Sequence, residues 1–249
     1  MPADVIPGAE AWSTAGGPVG VLVIHGFTGS PATMRPVADA LAGAGLAVAV
    51  PRLPGHGTAV EDMVATRFAD WAAEVDDAYL ALSESCARIA VVGLSMGATL
   101  ACWLAARRPV TGVVCVNPMV MPVEPALMEL VRLMLDAGET VADGVGADLA
   151  DPEAVEIAYA GAPLAPALSL YLAIEELQDD LRRIACPGLI MTSTDDHVVH
   201  PDNSDHLASV VAGPVERVSL DRSYHVATLD HDREEVAART LAFVRRVSA

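Results

Sequence analysis

The chain has 249 residues, 53% of them hydrophobic and 19% charged, and a formal charge of −18. That length suits one large α/β domain with an insertion, and the apolar fraction excludes a disordered chain. Its 33 acidic residues against 15 cations repel phosphate backbones and exclude nucleic acid as a partner, and because every cation is arginine, lysine nucleophiles and P-loops are excluded too.

The opening MPADVIPGAEAW has neither a basic start nor an apolar run, and no later stretch is long enough to span a bilayer, so a cytoplasmic, reducing compartment is expected. Short runs rich in valine, isoleucine and leucine follow at 19–24, 46–50, 88–92, 112–116, 187–192 and 215–220, each reading as a strand buried on both faces. Helical spacing lies between them: 31–44, with Ser30 as N-cap and Pro31 in the first turn, then 68–84 and 96–107. Such alternation predicts a mostly parallel sheet with helices on both faces, and it directs the search for chemistry to loops at strand C-termini. The rhythm breaks between Asn117 and Arg183, where no strand-like run occurs and proline and glycine punctuate what read as short helices. Residues 118–183 are therefore expected to form an inserted cap on a core made of 1–117 and 184–249. Met119, Met121, Met128 and Met134 in that cap suit either an adaptable acyl pocket or ordinary core filling. Cys86, Cys102, Cys115 and Cys186 form no C-x-x-C pair and read as four buried thiols.

Gly93-Leu94-Ser95-Met96-Gly97 follows the strand-like RIAVV and precedes the helix-like ATLACWLAARR, the context that a G-x-S-x-G nucleophile turn requires. A serine hydroxyl is a poor nucleophile at neutral pH, so an imidazole must take its proton and a carboxylate must fix the imidazole's tautomer. In chain order the acid comes next and the histidine last. After the run GLIMTS, the loop Thr194-Asp195-Asp196-His197 offers two adjacent carboxylates, and position alone does not choose between Asp195 and Asp196. After VERVSL comes Asp221-Arg222-Ser223-Tyr224-His225, which makes His225 the base. His197, His200, His206 and His231 stand in the wrong places for that role, and His56 reads as structural or pocket-lining. Ester cleavage also needs two oxyanion donors. Met96, directly after Ser95, supplies one backbone N–H, and Phe27 in the loop His25-Gly26-Phe27-Thr28-Gly29 supplies the other, the alternative being a simple glycine-rich turn. A metal site from Asp195, Asp196, His197 and His200 is not expected, because consecutive acids diverge and no second histidine cluster completes it. No cofactor is needed.

Together HGFTGSP (25–31), PRLPGHGT (51–58), GLSMG (93–97), TDDHVV (194–199) and SYHVATLD (223–230) resemble the bacterial monoacylglycerol lipases and their carboxylesterase relatives, over nearly the whole chain. The resemblance implies the α/β-hydrolase fold with a small helical cap over an apolar acyl tunnel. It implies that the acid is Asp196, which directly precedes the histidine of its D-H-V-V run. It also places on Glu156, within DPEAVEIAY (151–159), the role of holding the glycerol end of the substrate, although a lone glutamate on a helix is usually a solvated surface residue. The expected reaction is acyl transfer from a lipid ester to Ser95 and then to water. Alternatives are a broad short-chain carboxylesterase and, more remotely, a small-ligand receptor on the same fold. An exposed apolar cap surface would suit transient membrane or micelle contact and dimerisation equally, so the oligomeric state is left open.

Overall fold

The computed structural model describes residues 3–144 and 146–249. Its first half runs β1 (Trp12–Thr14), β2 (Val19–Ile24), a 3₁₀ turn (Pro31–Met34), α1 (Arg35–Gly43), β3 (Ala47–Val50), α2 (Val60–Val64), α3 (Phe68–Ser83), β4 (Arg88–Leu94), α4 (Met96–Ala105) and β5 (Gly112–Val116). Then come α5 (Pro125–Asp136), β6 (Val141–Asp143), β7 (Gly161–Pro163), α6 (Leu164–Leu181), β8 (Gly188–Ser193), α7 (Asp202–Val210), β9 (Val215–Leu220) and α8 (Arg233–Val247).

Seven strands form one sheet in the order β1-β3-β2-β4-β5-β8-β9. All neighbours are parallel except β1, which runs antiparallel to β3 at the edge. Period-two alternation divides the core between the two faces. Leu22, Ile24 and Val91 join Trp71, Leu100, Leu104 and Ile174 under α3, α4 and α6. Val21, Val23, Ala90 and Val92 join Met34, Leu41, Phe243 and Val244 under α1 and α8.

Six of the strands fall on the six apolar runs within a residue or two, but β9 is not buried on both faces: it is an edge strand, and only its Leu220 is buried. The edge strand β1 was not among them, because Trp-Ser-Thr is three residues of mixed polarity. The segment between β5 and β8 departs further from expectation. It contains a two-stranded antiparallel ladder, β6 with β7, and α6 is 18 residues long rather than short. Leu170, Ile174, Leu177 and Leu181 make a buried stripe along α6 that belongs to the same core as Trp71 and Leu104. At 31–44 the helix begins as a 3₁₀ turn, and the Ser30 hydroxyl makes no capping bond. Cys86, Cys102 and Cys115 are buried as expected, whereas Cys186, ahead of β8, is only half-buried. Among the described residues no helix is long and apolar enough to cross a membrane.

Candidate active site

Parallel strands β2, β4, β5, β8 and β9 all end at one edge of the sheet, and the side chains singled out from the sequence gather there. Ser95 stands between β4 and α4 with φ 54° and ψ −119°, conformational strain that only a tightly held turn sustains. The hold comes from glycine. A Cβ on Gly93 would meet the Gly97 carbonyl oxygen at 2.1 Å, and one on Gly97 would meet the Ile24 oxygen at 2.3 Å. Backbone therefore packs on backbone from β2 through both glycines, and the serine between them is turned outward. Thr28 and Asn117 are the other non-glycine residues with positive φ among those described, and both also follow strands at this edge.

His225, in the loop between β9 and α8, joins Asp196 through Nδ1···Oδ2 at 2.8 Å. The second oxygen of Asp196 accepts the N–H groups of Val198 and Val199, each at 2.8 Å. A carboxylate so bonded is fixed in orientation, and an imidazole bonded to it through Nδ1–H leaves Nε2 free to accept a proton. The Asp196 side chain is 1% exposed. Its neighbour Asp195 is exposed.

Ser95 and His225 line one cavity of about 250 Å3. Phe27 lines it as well, and a Cβ on Gly26 would lie 3.5 Å from Ser95 Cβ, so the loop bearing Phe27 runs directly beside the serine. Met96 is the first residue of α4, where a backbone N–H has no intrahelical acceptor, and its side chain is buried in the core. Leu94, Met119, Ala167, Leu170, Val199 and Val226 supply the apolar wall. Of the four methionines between β5 and β8, Met119 reaches this wall while Met128 is buried under α5.

Glu156 also faces the cavity, but from an irregular stretch rather than a helix. Its Oε1 lies 3.5 Å from the Thr33 hydroxyl. Burial pushes its carboxyl above the ordinary range, against the opposing pull of His225 and of Thr33. Nearby, the Tyr159 hydroxyl donates to the Gly55 carbonyl at 2.7 Å and accepts from the Thr58 N–H at 2.9 Å, tying this stretch to the loop after β3.

The remaining histidines lie elsewhere. His25 and His56 are fully buried, their rings 4.9 Å apart, and His56 packs in turn on Trp71, which packs on Phe27. Burial drives the His25 pKa down to about 4, with repulsion from Arg52 adding and the Gly26 carbonyl opposing, and burial likewise holds His56 well below its ordinary value. Both are neutral packing elements behind the Phe27 loop. His206 bonds to Gln178, and His197 and His231 face aspartates. Among the described residues no group of three or more His, Cys, Asp or Glu is arranged to hold a metal ion.

Three further residues at this edge escaped the sequence reading. Asn117, directly after β5, is buried and donates from Nδ2 to the His225 carbonyl at 2.7 Å and to Ser193 Oγ at 3.0 Å. Asp230 is fully buried and accepts the N–H groups of Ala150, Asp151, Tyr224 and His231 at 2.8–2.9 Å. Burial raises its carboxyl, and the four amides outweigh burial and hold it below the ordinary range. Asp148 bonds to the backbone of both His225 and His197. Only Asp230 left a trace, as the last residue of SYHVATLD. The other two act on backbone groups that no sequence pattern displays.

Residues 21–239 match the alpha/beta hydrolase family. The chain is 44% identical over 246 residues to a thermostable monoacylglycerol lipase of Bacillus sp. (strain H-257), covering 96% of this chain and 95% of that protein. It is 27% identical to a carboxylesterase of Bacillus subtilis (strain 168), covering 93% and 94% of the two chains. A structure from work on LipS and LipT, two metagenome-derived lipolytic enzymes, superposes with a TM-score of 0.93 at 37% identity, covering 98% of this chain and 100% of that one.

Proposed function

The chain belongs to the alpha/beta hydrolase family, and from that premise we propose that it is a carboxylic ester hydrolase that cleaves monoacylglycerols to fatty acid and glycerol. The observation that carries the reading is the shared cavity: Ser95, His225 and Glu156 face one apolar-walled space, with Asp196 bonded behind the imidazole. In the proposed reaction Ser95 Oγ attacks the ester carbonyl as its proton passes to His225 Nε2, and Asp196 stabilises the imidazolium. The N–H groups of Phe27 and Met96 take the oxyanion. His225 returns the proton to the departing glycerol oxygen, and water then releases the acid from Ser95 by the same route.

Glu156 is the proposed partner of the glycerol hydroxyls. Support comes from its burial beside the space Ser95 faces, and from the absence of any arginine among the described residues lining the cavity. A wall of that kind accepts a neutral polar head and offers an anionic one no counter-charge. Residues 118–183 are read as a cap, since Met119, Gly144, Glu156 and Tyr171 roof the same space. On α5 the side chains of Leu127, Leu130 and Leu133 point to solvent at 40–57% exposure, which supports transient contact with a lipid surface.

The 44% identity to a monoacylglycerol lipase favours the lipase over a short-chain carboxylesterase, while the 27% identity to a carboxylesterase keeps the second reading in view. Steady-state hydrolysis across monoacylglycerols of increasing chain length decides, with short p-nitrophenyl esters and triacylglycerol in parallel. Preference for medium or long monoacylglycerols is the expected result. Uniformly better turnover of the short esters would leave the chemistry and remove the lipase.

A further inference from the structure

His225 is gripped through its own peptide as well as its ring. Asn117 Nδ2 holds its carbonyl at 2.7 Å, and its N–H donates to Asp148 Oδ2 at 3.0 Å. Asn117 directly follows β5 of the sheet. Asp148 belongs to the segment inserted between β5 and β8. The same Oδ2 accepts the His197 N–H at 3.2 Å, and Oδ1 meets His197 Nδ1 at 2.9 Å. His197 directly follows Asp196. One carboxylate from the insertion thus touches the loop of the acid and the loop of the base at once, and it lines the cavity while its side chain is only 11% exposed. The Asp148 carbonyl adds a bond from the Val226 N–H at 3.1 Å.

A purely structural joint between these segments already exists. Two residues along, Asp230 staples Ala150 and Asp151 to Tyr224 and His231 through four amides. What Asp148 adds is contact with the base's own N–H. The loop from Asp221 to Asp232 has no regular structure, so side chains rather than a ladder must set the height of the His225 peptide.

We propose that Asp148 is a positioning residue for His225, through which the seating of the inserted segment over the cavity fixes the alignment of the base. The inference rests on the ester-hydrolase reading of the same site. The insertion is then part of the catalytic geometry as well as a cover: when it lifts, the His225 peptide loses one of its two holds and the imidazole drifts from Ser95. Misplacement of a reacting group by about 1 Å is enough to lower a rate roughly 10²-fold.

The test compares Asp148→Ala, Asp148→Asn, Asp148→Glu and His197→Ala by kcat and KM on a short p-nitrophenyl ester. A fluorophosphonate is used in parallel, because its inactivation rate needs the serine and base but no glycerol contact. Expected for Asp148→Ala is a fall in kcat of about 10²-fold with KM little changed, and an equal fall in inactivation rate. Asp148→Asn stays within about threefold of the parent, since its amide oxygen still accepts both backbone N–H groups, and His197→Ala does the same because the His225 bond survives. Should Asp148→Ala not fold, Asp148→Glu keeps the charge and acceptors but shifts the peptide, and kcat is expected to fall about tenfold. Unchanged kcat in a folded Asp148→Ala or in Asp148→Glu overturns the proposal. So does a rise confined to KM, or an Asp148→Asn as impaired as the alanine, which would make the charge rather than the hold the active element. Parent protein no better than Ser95→Ala on every ester would instead sink the hydrolase reading.

Discussion

Asp195 and Asp196 are consecutive carboxylates with opposite environments, and the contrast is a direct test of the proposed triad. Asp196 is tied to the His225 ring and to two backbone amides, whereas Asp195 is exposed. Replacing Asp196 by alanine leaves the imidazole free to take the wrong tautomer and is expected to lower kcat by about 10³- to 10⁴-fold. Asp195→Ala should lie close to the parent. Initial rates on one soluble ester separate the two, and equal losses would contradict the assignment of the acid to Asp196. From sequence alone the pair could not be told apart, because the distinction lies in which side chain turns under the loop. Motif resemblance named the one that the structure joins to His225.

Among the secondary-structure elements, the turn between β4 and α4 leaves no room for a side chain at either of its glycines. A methyl group on Gly97 meets two carbonyl oxygens of the β2 end, at 2.3 and 2.6 Å, and backbone cannot step aside as a flexible side chain could. Gly97→Ala is expected to destabilise the fold by about 3 kcal/mol. Gly43, at the end of α1, has open space around its missing Cβ, and alanine there should stabilise by about 0.5 kcal/mol. Urea midpoints of the two variants check both signs, and a neutral Gly97→Ala would show that the turn relaxes. The central strands were legible because a strand buried on both faces writes a continuous apolar run. β6 and β7 were not, since three-residue arms such as Gly-Ala-Pro carry no periodicity. α6 was underestimated although Leu170, Ile174, Leu177 and Leu181 keep helical spacing, because prolines at its start resemble loop punctuation. Asn117 and Asp148 were invisible for a different reason: their partners, peptide groups for the most part, lie far away along the chain.

Over the whole molecule the buried pair His25 and His56 sets a pH limit on stability. Both have folded pKa values below the ordinary 6.5, so the unfolded chain takes up protons before the native state does. Stability is therefore full above about pH 6.5 and falls as the pH drops toward 4, the folded value of His25. For His25 alone the loss by pH 5 is about 2 kcal/mol. Partial neutralisation of the −18 charge acts in the opposite direction by relieving self-repulsion, but at physiological ionic strength that long-range term is largely screened. Urea midpoints in 0.15 M salt should accordingly be lower at pH 5 than at pH 7, and His25→Gln should flatten the difference. A higher midpoint at pH 5 would put charge repulsion above histidine burial.

The most direct test of the account is to quench the protein during turnover of a long-chain monoacylglycerol and map the acyl group by peptide mass. An acyl ester on Ser95 in the quenched parent protein, absent in Ser95→Ala together with all fatty acid release, is the predicted result. Fatty acid release that persists in Ser95→Ala, or an acyl group carried on another residue, would contradict it.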